Sequence, residues 1–127
     1  MKLNPLLLAA SALLAAPVLV AAQEGVSVEI VIAADVVDRE PVGAAESFGA
    51  DVGKVYAWMR VSGAADSSLE VVWTHGPHTS SVPLNIGGSP WRTWSSKTIP
   101  AEWTGTWTVE VKDASGTVVA TTTFTVN

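Results

Sequence analysis

Residues 106–126 read TWTVEVKDASGTVVATTTFTV, and this stretch decides the fold class. Apolar and polar residues alternate on both sides of the DASG tetrapeptide, which is the pattern of β-strands with one buried face. Gly116 can adopt the left-handed backbone conformation that a tight turn requires. The stretch therefore predicts a β-hairpin with strands at 106–112 and 117–126.

Short alternating runs of the same kind fill most of the chain upstream of this hairpin, and helical periodicity is almost absent. The runs are rich in β-branched and aromatic residues and are separated by Gly, Pro, Asp and Ser. Further strands are predicted at 26–32, 55–61, 69–74, 81–86 and 91–98. About seven strands predict an all-β fold, an immunoglobulin-like two-sheet antiparallel sandwich.

The segment 35–53 is predicted to be a long crossing connection, because it is rich in Ala, Gly and acidic residues and has a single aromatic residue. That residue, Phe48, is expected to plug the edge of the core. Residues 44–47 are expected to form a short helical turn. A connection of this length also indicates that an element is missing from the assignment.

Residues 1–22 have the pattern of a secretory signal peptide, with Lys2 before an apolar run that ends in small residues. The run is shorter than the roughly 20 residues of a membrane-spanning helix, and we expect cleavage after Ala22. An uncleaved N-terminal anchor is the alternative. The predicted organisation is a leader at 1–22 and one β-sandwich domain at 23–127, periplasmic or secreted and without a membrane span after cleavage.

The composition narrows the partners of the exported domain. The 105 residues that follow the leader (127 minus 22) carry 12 acidic side chains and, without Lys2, 6 basic ones, for a formal charge of −6. This acidic balance argues against nucleic acid and anionic membrane surfaces as partners. The chain has no cysteine, so the domain must be stabilised by packing and not by disulfides.

Six tryptophans lie within fifty positions, beside one Tyr and two Phe, which indicates a need for large, flat, amphipathic rings. Trp73 and Trp107 are predicted to be core rings that span the two sheets. Trp58 shares a strand face with Arg60, which suggests a half-exposed aromatic and cationic ladder, and packing under the long connection is equally consistent with the pattern.

The run WRTWSSK at 91–97 places one Trp on each face of a strand, so one ring must point toward solvent or a neighbouring element. Arg92 and Trp94 share a face, close enough for the guanidinium to lie against the indole. The tryptophans of this run, and Trp103 in a loop before Gly105, have two possible roles, packing in the core or forming a binding platform. The predicted binding residues are Trp91, Arg92, Trp94 and Lys97, with Trp58, Arg60 and Trp103 as neighbours.

Motifs for metal binding and catalysis are weak. His75 and His78 have the one spacing that suits a metal, but two imidazoles do not complete a site, and a solvent-exposed hairpin loop is the simpler reading. Ser95 and Ser96 would need one of these histidines to reach them from another loop. The chain has no Cys nucleophile, Gly-x-Ser-x-Gly elbow, phosphate-binding glycine loop or HExxH motif. We therefore expect no catalytic residues, no metal and no cofactor.

Several motifs together resemble a bacterial family known only as domain of unknown function twenty-nine fourteen. These are REPVG at 39–43, VYAW at 55–58, WRTWSSK at 91–97 and GTWTV at 105–109. The resemblance covers nearly all of the chain after the leader, and the last two motifs are its most specific part. It implies a domain of bacterial envelope proteins without an established activity. Family members often have a His where this chain has Val71.

These observations favour a noncatalytic binding or accessory domain of the bacterial cell envelope. Contact with an envelope protein through an exposed Trp/Arg surface is the first hypothesis. The alternative is carbohydrate recognition, in which Trp94 and Trp103 stack on the sugar rings of a glycan and Arg92 bonds to the rim of the sugar.

Overall fold

The computed structural model of the protein describes residues 18–23 and 25–127. Within this part of the chain there are ten β-strands and no helix. The strands are β1 (Val18–Gln23), β2 (Val26–Val37), β3 (Glu40–Ala44), β4 (Ser47–Phe48), β5 (Lys54–Ser62), β6 (Ser67–His75), β7 (His78–Ile86), β8 (Trp91–Thr98), β9 (Gly105–Lys112) and β10 (Val118–Val126). No helix long and apolar enough to cross a membrane was found among the described residues.

The strands form two five-stranded sheets, which confirms the predicted two-sheet sandwich. The first, sheet A, has the order β1-β2-β5-β8, and β3 also pairs with β2. The second, sheet B, has the order β4-β10-β9-β6-β7. All pairs are antiparallel except β4 with β10. Strand β8 is thus an edge strand of sheet A, and β7 is an edge strand of sheet B.

The core lies between the two sheets, because every second residue of each central strand points inward. Trp73 and Trp107 are both 1% exposed, as predicted, and their rings pack around Phe124. Phe48 contacts the same ring edge-to-face, with 5.9 Å between centroids. It is buried at the edge of the core, which confirms its predicted role as a plug.

The predicted helical turn at 44–47 is wrong, and the segment 35–53 contains strands that the sequence pattern did not reveal. Strand β2 continues to Val37, and a two-residue turn with positive φ at Asp38 (52°) and Arg39 (65°) leads into β3. After β3, the Glu46 carbonyl accepts a hydrogen bond from the Thr125 amide at 3.0 Å. Residues 44–47 stay extended because their backbone groups pair with neighbouring strands instead of with one another.

The predicted signal peptide lies mostly outside the described residues. Of residues 1–22, only 18–22 belong to the described part, where they form most of β1. Strand β1 pairs with the first half of β2, from Val26 to Val31. Cleavage after Ala22 remains an expectation, and it would remove five of the six residues of β1.

Candidate functional site

The structure divides the seven predicted binding residues among the outer face of sheet A, the inner side of β8 and the loop between β8 and β9. In the β5–β8 pair, Trp58 lies opposite Trp94 and Arg60 lies opposite Arg92, so these four side chains share the outer face of sheet A. Because neighbouring residues of a strand point to opposite sides, Trp91 and Lys97 face inward, toward sheet B. The remaining residue, Trp103, lies in the loop between β8 and β9, beside Lys97.

The outer face of sheet A carries one buried and one exposed indole. Trp58 is 2% exposed, although it lies outside the core cluster between the sheets. The turn between β2 and β3 covers it, and its Nε1 donates a hydrogen bond to the Arg39 carbonyl at 2.9 Å. Trp94, directly opposite on the edge strand, is 36% exposed. Of the two rings, only that of Trp94 is free to contact another molecule.

Two arginines flank these rings, and each forms an ion pair with a glutamate, Arg60 with Glu29 of the neighbouring strand β2 and Arg92 with Glu40 of β3. Arg60 lies with its Cζ atom 5.7 Å from the Trp58 ring centroid and 3.6 Å (N to O) from Glu29. Arg92 pairs with Glu40. The arginine side chains are 50% and 37% exposed, respectively. Exposed ion pairs of this kind contribute about 1 kcal/mol or less, so they do not prevent the arginines from contacting a partner.

Among the described residues, Trp91 shares no cavity with the other indoles, but it lines one of about 540 Å³ together with Arg39, Arg60, Pro90 and Arg92. It is half-buried and packs on the core at the start of β8. Its ring lies against Gly87 and Gly88, where an added Cβ would approach ring atoms to 2.9 and 3.3 Å. The glycines therefore allow the ring to close this end of the sandwich, which is a packing role.

The two edge strands β7 and β8 border a cleft on one side of the sandwich. A cavity of about 390 Å³ lies in this cleft. It is lined by three tryptophans, one histidine, one lysine, one threonine, one serine and one proline: Trp73, Trp103, Trp107, His78, Lys97, Thr79, Ser80 and Pro77. Trp73 and Trp107 form a buried floor, whereas Trp103 is only half-buried.

Trp103 belongs to a group of stacked rings at the mouth of the cleft. The His78 imidazole stacks on it at 4.1 Å between centroids with 19° between the ring planes. The His75 ring is nearly parallel to it at 5.6 Å, and His75 also lies 4.7 Å from Trp107. The register of the β6–β7 hairpin pairs His75 with His78, which brings both imidazoles to the side of the sheet that faces Trp103.

Three hydrogen bonds hold the loop that carries Trp103. The Trp103 amide donates to the Pro100 carbonyl at 2.9 Å, and the Trp107 Nε1 donates to the Trp103 carbonyl at 3.2 Å. The His75 Nε2 lies 2.7 Å from the Thr104 carbonyl and must be its donor. The loop is therefore fixed to the floor of the cavity and to the β6–β7 hairpin before any ligand binds.

The cavity is locally cationic in an acidic protein. None of its lining residues is a carboxylate, and neither of the two ion pairs found within residues 25–127 involves Lys97. No group of three or more His, Asp or Glu residues suited to a metal ion occurs in the part of the chain that the structure describes. The chemistry that the lining offers is therefore aromatic stacking, hydrogen bonding and one positive charge.

The serines proposed as remote nucleophile candidates lie on different sides of β8. Ser95 is 4% exposed, and its Oγ accepts a hydrogen bond from the Trp73 Nε1 at 3.1 Å. Ser96 is exposed on the outer face of sheet A, whereas both histidines lie at the cleft. Neither serine is hydrogen-bonded to a histidine in the described structure.

Lys97 and Trp103 are both among the predicted binding residues, without a predicted link between them, whereas His78, Thr79 and Ser80 are not among those residues. The signal that finds these residues is the tight turn at Gly76 and Pro77. That turn sets the register in which Ser80 lies opposite Trp73, so alternation then predicts that His78 and Ser80 face the same side as the buried indole.

Comparison with known proteins gives one family match. The model of the family described as "Protein of unknown function (DUF2914)" matches residues 66–126, just under half of the chain. The resemblance predicted from the sequence is thereby confirmed over this segment. No curated protein matches the chain significantly.

Proposed function

We propose that this chain, whose residues 66–126 match the DUF2914 family, is a noncatalytic binding module of the bacterial envelope that contacts a partner protein through the outer face of sheet A. The contact surface is formed by Arg60, Arg92 and Trp94 and is called the outer Trp/Arg face below. The observation that carries the proposal is the exposed Trp94 indole beside two partly exposed guanidinium groups. Tryptophan and arginine are the residue types most enriched among the residues that dominate binding energy.

The support beneath the outer Trp/Arg face favours a contact of defined geometry. Trp58 lies opposite Trp94 across the β5–β8 pair and is fixed by its hydrogen bond to the covering turn. Trp94 therefore stands beside a rigid neighbour, and little conformational freedom is lost when a partner binds it. The partner that suits this face has an apolar pocket for the indole and carboxylates at its rim for the arginines.

The export of the domain, its envelope location and its lack of catalysis are parts of the same proposal. The leader pattern at residues 1–22 supports export. The absence of a catalytic role is supported by Ser95, whose hydroxyl is engaged with a core indole, and by Ser96, which lies on the side of β8 away from the histidines.

The carbohydrate hypothesis in its original form needs Trp94 and Trp103 on one surface. The structure places Trp94 on the outer face of sheet A, whereas Trp103 lines the cleft with the inward-facing Lys97. The two rings therefore do not form one platform for a sugar chain, and the geometry favours protein contact for the outer Trp/Arg face.

Site-specific photo-crosslinking in the native envelope tests the proposal. A crosslinking residue at Ser96, on the same face as Trp94, is expected to capture a discrete partner, and one at the exposed Thr123 of sheet B is not. The purified partner should then bind the Trp94→Ala variant at least about tenfold more weakly than wild type. Arg92→Ala should have a similar effect, and Thr121→Ala on sheet B is the matched control. Equal binding by folded Trp94→Ala and wild type would contradict the proposal.

A further inference from the structure

We propose that the cleft between β7 and β8 is a second binding site, separate from the outer Trp/Arg face, and that its ligand is a carbohydrate with a carboxylate group, such as a uronic acid. The site is the cavity of about 390 Å³ lined by aromatic rings, hydroxyl groups and one lysine. Its volume lies within the range of about 300 to 1,000 Å³ that is typical of small-molecule sites.

The aromatic part of the lining suits the flat, weakly polar face of a sugar ring. Trp73 and Trp107 are each 1% exposed and form a floor that does not move readily, whereas the half-buried Trp103 presents its indole at the mouth. A sugar ring that enters the cleft would contact the part of the Trp103 indole that His78 leaves uncovered, because the C–H groups of a sugar are attracted to the electron-rich face of an indole. The hydrogen bonds to Pro100 and from Trp107 fix the backbone that carries the ring in advance.

The positive charge in the cleft indicates that the sugar is acidic. Lys97 points inward from an edge strand, and no carboxylate lines the cavity with it. A partly buried ammonium group without a counter-charge is unfavourable, and a ligand carboxylate would supply that counter-charge. The net charge of the whole chain is −5, so the local positive character is a property of the cleft and not of the protein.

The remaining polar groups of the cleft match the hydroxyl groups of a sugar. His78 and Ser80 face the cleft from the start of β7, and Thr79 between them also borders the cavity. Hydroxyl and imidazole groups both donate and accept hydrogen bonds, as sugar hydroxyls do. A single acidic sugar of about 13 non-hydrogen atoms is expected to bind with a Kd of roughly 1 mM, because drug-sized ligands gain little free energy per atom.

The inward orientation of Lys97 also has a purely structural explanation, which predicts a different result when the residue is replaced. An inward-pointing charge on an edge strand prevents that edge from pairing with another chain. If this is its whole role, replacing Lys97 with an apolar residue causes self-association and leaves carbohydrate binding unchanged. If Lys97 binds a ligand carboxylate, the same replacement weakens the binding of acidic sugars in a monomeric protein.

The experiment titrates the protein with digalacturonate and with the neutral digalactose of the same linkage, using calorimetry and Trp emission. Wild type is expected to bind the acidic disaccharide at about millimolar concentrations and at least tenfold more tightly than the neutral one. Lys97→Met keeps the aliphatic stem and should abolish this preference. Lys112→Met, at the far end of β9 from the cleft, is the matched control and should bind as wild type does.

Two further variants separate the two proposed sites. His78→Ala removes an exposed ring at the mouth of the cleft and should weaken the binding of both sugars without loss of the fold. Trp94→Ala should leave sugar binding unchanged, because its ring belongs to the outer Trp/Arg face. The proposal is overturned if wild type binds neither disaccharide at about 10 mM, roughly ten times the expected Kd. It is also overturned if Lys97→Met retains the preference for the acidic sugar. Self-association of that variant in sedimentation experiments would then indicate that Lys97 protects the edge strand instead.

Discussion

Replacement of Ser95 with Ala is expected to destabilise the protein more than its small size suggests. Ser95 is the only buried polar residue among the described residues, at 4% exposed. Its Oγ accepts the hydrogen bond from the Trp73 Nε1 at 3.1 Å and so links β8 of sheet A to β6 of sheet B through the core. The Ala variant leaves the indole N–H buried with no partner.

The expected size of the effect follows from that unpaired group. A buried donor that loses its partner costs about 1 to 3 kcal/mol, and the small void left by one oxygen atom adds less. For a domain of about 100 residues, 1 kcal/mol lowers the Tm by roughly 4 to 8 °C. Ser96→Ala is the matched control, since Ser96 is exposed on the opposite side of the same strand, and its effect should lie within about 0.5 kcal/mol.

Urea unfolding monitored by Trp emission measures both variants, and a double-mutant cycle isolates the hydrogen bond. Trp73→Phe removes the indole donor, so in that background Ser95→Ala should cost less than in wild type, by about 0.5 to 1.5 kcal/mol. The reasoning is refuted if Ser95→Ala and Ser96→Ala have the same free energy of unfolding, or if the cost of Ser95→Ala does not change when the indole is absent.

Three other predictions follow from burial, backbone geometry and charge. Trp58→Ala should cost about 3 to 5 kcal/mol in urea unfolding because the ring is 2% exposed, whereas Trp94→Ala, at 36% exposed, should cost about 1 kcal/mol or less. Gly63→Ala should cost about 3 kcal/mol or more, since φ is +79° and the new Cβ would lie 1.7 Å from a carbonyl oxygen; an unchanged Tm would refute this. The Ser115 hydroxyl holds the pKa of Asp113 below its usual value of 3.8. The ionised Asp113 carboxylate therefore contributes its full stabilisation above about pH 3.8, the usual pKa of the group in the unfolded chain. This stabilisation is lost as the pH falls through the lowered pKa of the folded protein. The Tm difference between wild type and Asp113→Ala should be constant from about pH 5 to about pH 7 and shrink in acid.

The sequence was sufficient for the parts of the fold that local pattern determines. The hairpin of β9 and β10 has the predicted turn, in which Gly116 has φ of 89° and the Asp113 amide donates to the Thr117 carbonyl at 2.9 Å. Alternation also placed Trp107 in the core correctly. These features depend on residues that are close in sequence and on one continuous apolar face, so a single chain carries enough information for them.

The strands that the sequence did not predict, β3 and β4, form by pairing with other segments of the chain. Strands β3 and β4 have five and two residues, and most of these are exposed, so no apolar alternation marks them. Strand β4 exists because β10 offers it a parallel partner. The burial of Trp58 likewise depends on the turn at Asp38 and Arg39, which covers the ring from another part of the chain. Such contacts leave no periodic trace in the sequence.

In the candidate site, too, the sequence predicted the features that local pattern determines and missed those that depend on distant contacts. Alternation predicted that Arg92 and Trp94 share a face and that Lys97 points to the other side, as the strand register has it. It did not predict that Lys97 lines the same cavity as Trp103 and His78, because that cavity forms where the edge strands of two different sheets border one cleft. Sheet order, which depends on the whole topology, was needed to bring these residues together.

The family match bears differently on the two proposed sites. Residues 66–126 contain β6 to β10 and every residue that lines the cleft cavity. The outer Trp/Arg face instead needs Arg60 of β5, and its support needs Trp58 and the β2–β3 turn, all outside the matched segment. If members of the family share a binding site within the matched segment, the cleft is the better candidate for that site. The outer Trp/Arg face instead depends on how the rest of this chain completes sheet A. We expect that the matched segment does not fold by itself, because the inner face of sheet B packs on Ile30 and Met59 of sheet A, and without them its apolar side would lie in water.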